Sequence, residues 1–239
     1  MGRVFLVRHA QASFLEADYD KLSATGQTQA RVLGEYWARH HIAFDRVCIG
    51  PRIRHRDTEK AVREVYANHG LSFPESVMLQ EFDEFQGDVV LEKSLPHLID
   101  TDSHVRELDA AVRTANSPPQ RRRNFQKLFE IVVTRWVNGE LPVDGVESWH
   151  AFLARVHRGL SHFLSSAGKS ETCAIFTSGG PVAASVQRAL HLSPEQTLQV
   201  AWMPRNCSYS EFLFSGDRFT LSTFNSFQHL DDPTLLTYR

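Results

Sequence analysis

Several of the usual signs of a membrane, a metal or an oxidising compartment are missing from this sequence. None of its 239 residues fall in an apolar stretch approaching the ~20 needed to cross a bilayer. The first apolar run, residues 4–7, is too short for the core of a secretory signal. Gly2 invites myristoylation, but position six is Leu6 where Ser or Thr is wanted. These features predict a cytoplasmic protein with no membrane attachment. The three cysteines (Cys48, Cys173 and Cys207) are an odd, widely spaced set without a CxxC pair, which predicts buried structural thiols rather than a disulfide framework. Charge of one sign is also lacking. Lys plus Arg number 26 against 28 Asp plus Glu, so the chain is not built around nucleic acid or an acidic surface, though a local basic pocket remains open to it. The twelve histidines include no HExxH pair, so no metal and no cofactor is expected. Internal repeats and low-complexity tracts are absent as well. What remains is a composition of 42% hydrophobic and 23% charged residues, that of an ordinary globule. A chain of this length buries roughly 70–75% of its unfolded surface and needs no staple.

Short apolar runs at 4–7 and 47–49 have the pattern of buried strands, and those at 77–79 and 173–176 read as two further short strands. Helical periodicity fills 24–40, where Ala30, Leu33 and Trp37 form a stripe, and also 54–68 and 181–190. Two later runs, 209–214 and 219–224, flank Ser215-Gly216-Asp217-Arg218 and predict an antiparallel hairpin. Strands alternating with helices predict an α/β fold, a three-layer α/β/α sandwich with a mostly parallel central sheet. Residues 88–144 carry no strand pattern and break at Ser117-Pro118-Pro119. They read as a helical insertion lying over the sheet as a lid, within one domain spanning 1–239. Phe125, Phe129 and Trp136 read as its core. The Arg121-Arg122-Arg123 triplet reads as a solvated helix start, the sharper alternative being a lid that draws in anionic substrates.

Ligands of open parallel sheets bind outside the carboxyl ends of the strands. The residues just after each apolar run are Arg8 and His9, then Pro51-Arg52-Ile53-Arg54, then Gln80-Glu81-Phe82-Asp83-Glu84, then Thr177-Ser178-Gly179-Gly180. Arginines, a histidine, a carboxylate and a glycine-rich helix start on one spot suit a phosphoryl group. Guanidinium forks match phosphate oxygens, and backbone N–H groups at a helix N-terminus receive anions.

Leu6-Val7-Arg8-His9-Ala10 resembles the signature strand and loop of the histidine phosphatase superfamily, the phosphoglycerate mutase-like proteins, whose motif ends in Arg-His-Gly. Leu22-Ser23-Ala24-Thr25-Gly26 is similar to that family's Leu-(Ser/Thr)-x-x-Gly helix start. The segment from Pro51 through Arg54 to Thr58 resembles its Ser-Pro-x-x-Arg-x-x-x-Thr, with Gly50 in place of Ser. Leu79-Gln80-Glu81 resembles its Leu-x-Glu acid segment. Glu147-Ser148 through Arg155 resembles its Gly-Glu-Ser…Arg helix, and Asn225 to His229-Leu230 its C-terminal Asn-Asp-x-x-His-Leu. The matches run in family order along nearly the whole chain. The main departure is Ser178, which stands where the family carries a second histidine, as in Ser-His-Gly-Gly.

The resemblance implies a metal-independent phosphomonoester hydrolase working through a phosphohistidine on His9, on a small phosphorylated substrate or a phosphoprotein. Arg8 and Arg54 would clamp the phosphoryl oxygens, with Ser178, Gly179 and Gln11 as further substrate contacts. Glu81 is favoured as general acid, with Asp83 and Glu84 as competitors because the spacing after the acid is altered. His150 or His229 could fold into the place of the absent histidine. Two rivals stand beside this reading. One is a mutase, whose first motif resembles Arg-His-Gly-Glu-Ser-x-Trp-Asn where this chain has Arg8-His9-Ala10-Gln11-Ala12-Ser13-Phe14. The other is a phosphate- or phosphoprotein-binding protein that lost turnover with its second histidine.

Overall fold

The computed structural model describes residues 1–13, 20–168 and 170–238, so Phe14 of the first motif lies outside the described residues. Six strands form one sheet in the order β3-β2-β4-β1-β5-β6. They are β1 (Gly2–Arg8), β2 (Arg46–Ile49), β3 (Ser76–Met78), β4 (Thr172–Thr177), β5 (Tyr209–Ser215) and β6 (Arg218–Ser226). β1, β4, β2 and β3 run parallel, and the β5–β6 hairpin closes the other edge antiparallel. The continuous apolar reading of β1 and β4 follows from this placement. Both are central strands, and only Arg3 among their thirteen positions is exposed.

Alternation sends Phe5, Val7, Val47, Ile49, Ala174 and Phe176 to one face. There they pack on Ala30, Leu33 and Trp37 of α1 (Ala24–Arg39) and on Ala61, Val62 and Tyr66 of α2 (Ile53–Asn68). The opposite face carries Val4, Leu6, Cys48, Cys173 and Ile175, all buried. On it, α7 (Gly179–Leu190) meets β1 and β6, and α6 (Trp149–Ser165) carries His157, whose ring contacts the Ala184 carbonyl of α7 at 2.9 Å. A short α8 (Pro194–Ala201) follows. The three cysteines are buried free thiols.

The chain leaves β1 toward β2 and leaves β4 toward β5, so its connections part between two neighbouring strands. A switch point of this kind opens a crevice at the carboxyl ends of the strands, the place where open α/β sheets bind ligands.

Two compact units are formed, Met1–Glu84 with Ala154–Arg239, and Phe85–Leu153. The segment read as an insertion, 88–144, falls inside the second unit, which reaches further at both ends. That unit contains α3 (Gly87–Thr101), α4 (Ser103–Arg113), α5 (Pro118–Val137) and the start of α6. Ser117 caps α5 and Pro118 opens it, which turns the Ser-Pro-Pro break into a helix start. Phe85, Trp136, Trp149 and Phe152 form its aromatic centre, with ring centroids 5.2–5.9 Å apart. Phe129 is buried with them, and Arg121, Arg122 and Arg123 are exposed near the start of α5. No helix among the described residues is long and apolar enough to cross a membrane.

Candidate active site

The crevice is built first by backbone. The N–H of His9 donates to the Thr177 carbonyl at 2.8 Å, extending the β1–β4 ladder by one residue past the strand end. The His9 carbonyl in turn accepts from the Cys207 N–H at 3.1 Å. Ala10 N–H donates to Thr58 Oγ1 at 3.0 Å, and that hydroxyl donates to the Arg54 carbonyl at 2.7 Å. One threonine thus ties the first motif to α2, which accounts for its place four residues after Arg54. Ser23 caps α1 by accepting from the Gly26 N–H. A Cβ at Gly26 would stand 2.1 Å from the Gln11 carbonyl oxygen, so only glycine lets the loop after His9 lie on the helix start.

His9 is 8% exposed. Its Nδ1 lies 2.8 Å from the Ala10 carbonyl oxygen, which can only accept, so Nδ1 carries the proton and Nε2 keeps its lone pair. Burial first, then the charges of Arg54 and Arg8 and the neighbouring His55, hold its pKa well below the ordinary histidine value. The ring is therefore neutral at neutral pH.

Arg8 and Arg54 are each nine-tenths buried. Arg8 donates from Nη1 to the Pro204 carbonyl, and its Nε lies 4.0 Å from where a Gly179 Cβ would be. Arg54 donates from Nη1 to Asp20 Oδ1 at 2.6 Å, while the other oxygen of that carboxylate accepts the Ile53 N–H at 2.8 Å. Asp20 is a partner of Arg54 that the sequence reading missed. Gln11 turns its side-chain oxygen to the Ser23 hydroxyl at 2.8 Å, so that atom serves the α1 anchor.

The three adjacent carboxylates go to three places. Asp83 takes the fork of Arg52, at 2.5 and 3.2 Å. Glu81 lies toward α6: its Cβ and Cγ lie against Gly159, and its charge acts on Cys48. Residues 80–82 form a short 3-10 turn that directs position 81 toward α6, where Arg155 clamps the carbonyls of Gln80, Glu81 and Asp83. Glu84 instead reaches the start of α7, where both of its carboxylate oxygens accept from the Gly180 N–H at 3.1 and 3.2 Å.

Ser178 is fully buried, and its Oγ lies 2.7 Å from His55 Nε2. The His55 ring is fully buried too, 5.8 Å from the His9 ring between centroids. His229, one of the two histidines offered as a substitute, does not occupy that position. His229 stacks near Tyr209 and Tyr36, and burial lowers its pKa to about 4. His150 is exposed on the first turn of α6. His55 was the histidine that sequence reasoning passed over. Its signal was the helical period that aligns it with Thr58, Val62 and Tyr66 on the buried side of α2.

Comparison with known proteins gives the family and the fold. The family model described as the histidine phosphatase superfamily (branch 1) matches residues 89–226. No curated protein matches the chain. Among solved structures, phosphoserine phosphatase from Entamoeba histolytica in complex with 3-phosphoglyceric acid is 16% identical, covers 96% of this chain and 100% of its own, and has a TM-score of 0.63. Phosphoglycerate mutase from Bacillus anthracis is 13% identical, covers 95% and 94%, and scores 0.62. The mycobacterial glucosyl-3-phosphoglycerate phosphatase complexed with VO3 is 18% identical, covers 94% and 99%, and scores 0.59. At such identities these structures speak for the fold, and the family match spans more than half of the sequence. That family match makes the chain a member of the histidine phosphatase superfamily, branch 1.

Proposed function

We propose that this protein is a metal-independent phosphomonoester hydrolase that passes the phosphoryl group through His9. The observation that carries the proposal is the hydrogen bond from His9 Nδ1–H to the Ala10 carbonyl, which leaves Nε2 as an unprotonated nucleophile between two buried arginines. In the first step the Nε2 lone pair forms a bond to phosphorus and the ester P–O bond breaks. The released electron pair stays on the leaving oxygen, which takes a proton from a carboxyl group. In the second step water gives a proton back to that carboxylate and attacks phosphorus, and the P–N electrons return to Nε2. Arg8 and Arg54 offset the charge spread over the phosphoryl oxygens, and Ser178 and the Gly179 N–H at the start of α7 add donors.

Glu84 is the carboxyl we assign to the proton transfers, because it accepts from the Gly180 N–H at the helix start that follows Ser178, while Glu81 packs against Gly159 of α6. The substrate is a phosphomonoester, and the names of the similar structures favour small polar esters over phosphoproteins. Hydrolysis of an aryl phosphate, insensitive to EDTA and abolished by His9→Ala, is the expected result. Brief incubation should leave acid-labile, base-stable phosphate on His9. Turnover that survives His9→Ala overturns the proposal. The rival reading, a phosphate-binding protein without turnover, rests on Ser178 and expects no covalent phosphate at all.

A further inference from the structure

Two departures from the family pattern, Gly50 and Ser178, meet at one side chain that the pattern does not contain. His55 lies between them. Its Nε2 is 2.7 Å from Ser178 Oγ. Its Nδ1 side faces Gly50, where a Cβ would stand 2.5 Å from Nδ1, 2.9 Å from Cε1 and 2.6 Å from the Phe82 carbonyl oxygen. Real Cβ atoms do not approach so closely, so any residue larger than glycine at position 50 would push the imidazole out of its seat. Space is opened on one side of the ring, and a hydroxyl replaces a second imidazole on the other. The three positions therefore act as a unit.

We propose that His55 replaces the absent second histidine from a different element: it donates from Nε2–H to Ser178 Oγ and so turns the Ser178 hydroxyl proton toward a phosphoryl oxygen. His55 is a positioning residue that works through Ser178, and the proposal rests on the phosphohydrolase reading of the site. The direction of the hydrogen bond follows from the ring's surroundings. A neutral imidazole has one N–H. The Gly50 backbone favours the charged ring, yet among the described residues no acceptor meets Nδ1 in hydrogen-bonding geometry, whereas Ser178 Oγ meets Nε2 at 2.7 Å. Burial, Arg54 and Arg52 all disfavour the charged form, so the one proton belongs on Nε2, where Ser178 receives it. Arg54 and Arg52 flank the ring from α2 and its cap, and His9 faces it from the end of β1. A serine alone has a hydroxyl free to rotate among several acceptors. A serine held by an imidazole donor has its own proton assigned to whatever lies on the other side, and preorganisation of that kind is what makes such donors effective.

Orthovanadate, which takes the five-coordinate shape of the transferring phosphoryl group, is the probe, with inorganic phosphate as the ground-state control. Both affinities are measured for the full chain by competition against aryl phosphate and directly by calorimetry. Ser178→Ala and His55→Ala should each weaken vanadate by ~10-fold to 10²-fold and phosphate by much less. The double variant should be no worse than either single one, because the two side chains form one series of bonds. His55→Gln, which can place an amide N–H near the position of Nε2, should recover most of the affinity; so should the relocation double variant His55→Ala with Ser178→His. Additive losses in the double variant, or full vanadate affinity in folded Ser178→Ala, overturn the proposal. If His55→Ala fails to fold, Ser178→Ala and His55→Gln carry the test unaided. His9→Ala separates the two levels. Vanadate binding that needs His9 but ignores Ser178 and His55 sinks this inference alone, and vanadate binding indifferent to His9 sinks the phosphohydrolase reading and this inference with it.

Discussion

The ends of β1 and β4 are neighbours in one parallel ladder, Arg8 opposite Thr177, yet one end follows the family pattern and the other does not. At the end of β1 the histidine ring is fixed atom by atom. Its own N–H, its carbonyl and the N–H of the next residue each have a backbone or threonine partner. At the end of β4 the equivalent histidine is a serine, backed by a ring from α2. The difference follows from what each end supplies. A nucleophile is one lone pair on one atom, aimed along one line, and no neighbour can supply it from elsewhere. A hydrogen-bond donor needs only a polarised proton at the right point, which a second residue can deliver through an intermediary.

The largest effect should come from the end that cannot be relayed. His9→Ala should reduce turnover by ~10⁴-fold or more, as loss of a covalent nucleophile does, exceeding the effect of any single change at Ser178 or His55. Steady-state hydrolysis of an aryl phosphate measures both. Equal losses at the two ends would erase the distinction between them.

A second comparison lies within one short segment. Glu84→Gln should reduce turnover by ~10²-fold to 10⁴-fold on an alkyl phosphate, whose leaving oxygen needs a proton, and by less on an aryl phosphate, whose leaving group departs more readily as an anion. Glu81→Gln should stay within a few-fold on both. A larger loss at Glu81 than at Glu84 would return the acid role to the residue that the motif points to.

These outcomes also mark how far the sequence could be read. The sheet, its order of strands and helices, and the cluster after each strand were legible because an apolar run ending in charged residues is a local signal. Arg8, His9 and Arg54 belong to such signals. The choice among Glu81, Asp83 and Glu84 was not local. It depends on a 3-10 turn at residues 80–82 and on Arg52 claiming Asp83, both matters of side-chain direction. His55 sits between Arg54 and Arg56 and reads as part of a charged helix start. Its partner is 123 positions away, so only the buried period of α2 hinted at its true side. Asp20 was hidden for the same reason, since nothing near it in the chain announces Arg54.

Gly50→Ala tests the seat of His55 without touching its chemistry. The new methyl meets the ring at 2.5 Å and the Phe82 carbonyl at 2.6 Å, so either the ring or the backbone must move. Overpacking of this kind costs about 1–3 kcal/mol, to be read from the urea midpoint, and turnover should fall along with it. Combining the change with His55→Ala removes the ring from the collision and should return part of the lost stability. No return would mean that the carbonyl contact alone sets the penalty.

The smallest effect is a slope. His9 and His55 are both held well below the ordinary histidine pKa by burial and by nearby arginines. In the unfolded chain each takes up its proton near pH 6.5. Between that value and its lower folded value the unfolded state binds more protons, so stability rises with pH across the window. The stabilisation is fully present above about pH 6.5 and is lost as the pH falls below it, by about 1.4 kcal/mol per pH unit for each such histidine. His229, lowered to about 4, adds to the same slope down to that pH. His55→Gln removes one titrating ring while keeping a donor to Ser178. Its urea stability should therefore fall less steeply on acidification than that of the unaltered protein, by one histidine's share, while the acid limb of its turnover still follows His9 and lies below pH 6.5. Parallel slopes in the two proteins would mean that His55 carries its proton in the folded state. An imidazolium there would place a third full positive charge beside His9, after Arg8 and Arg54, and the end of β4 would then hold a cation rather than a relayed donor.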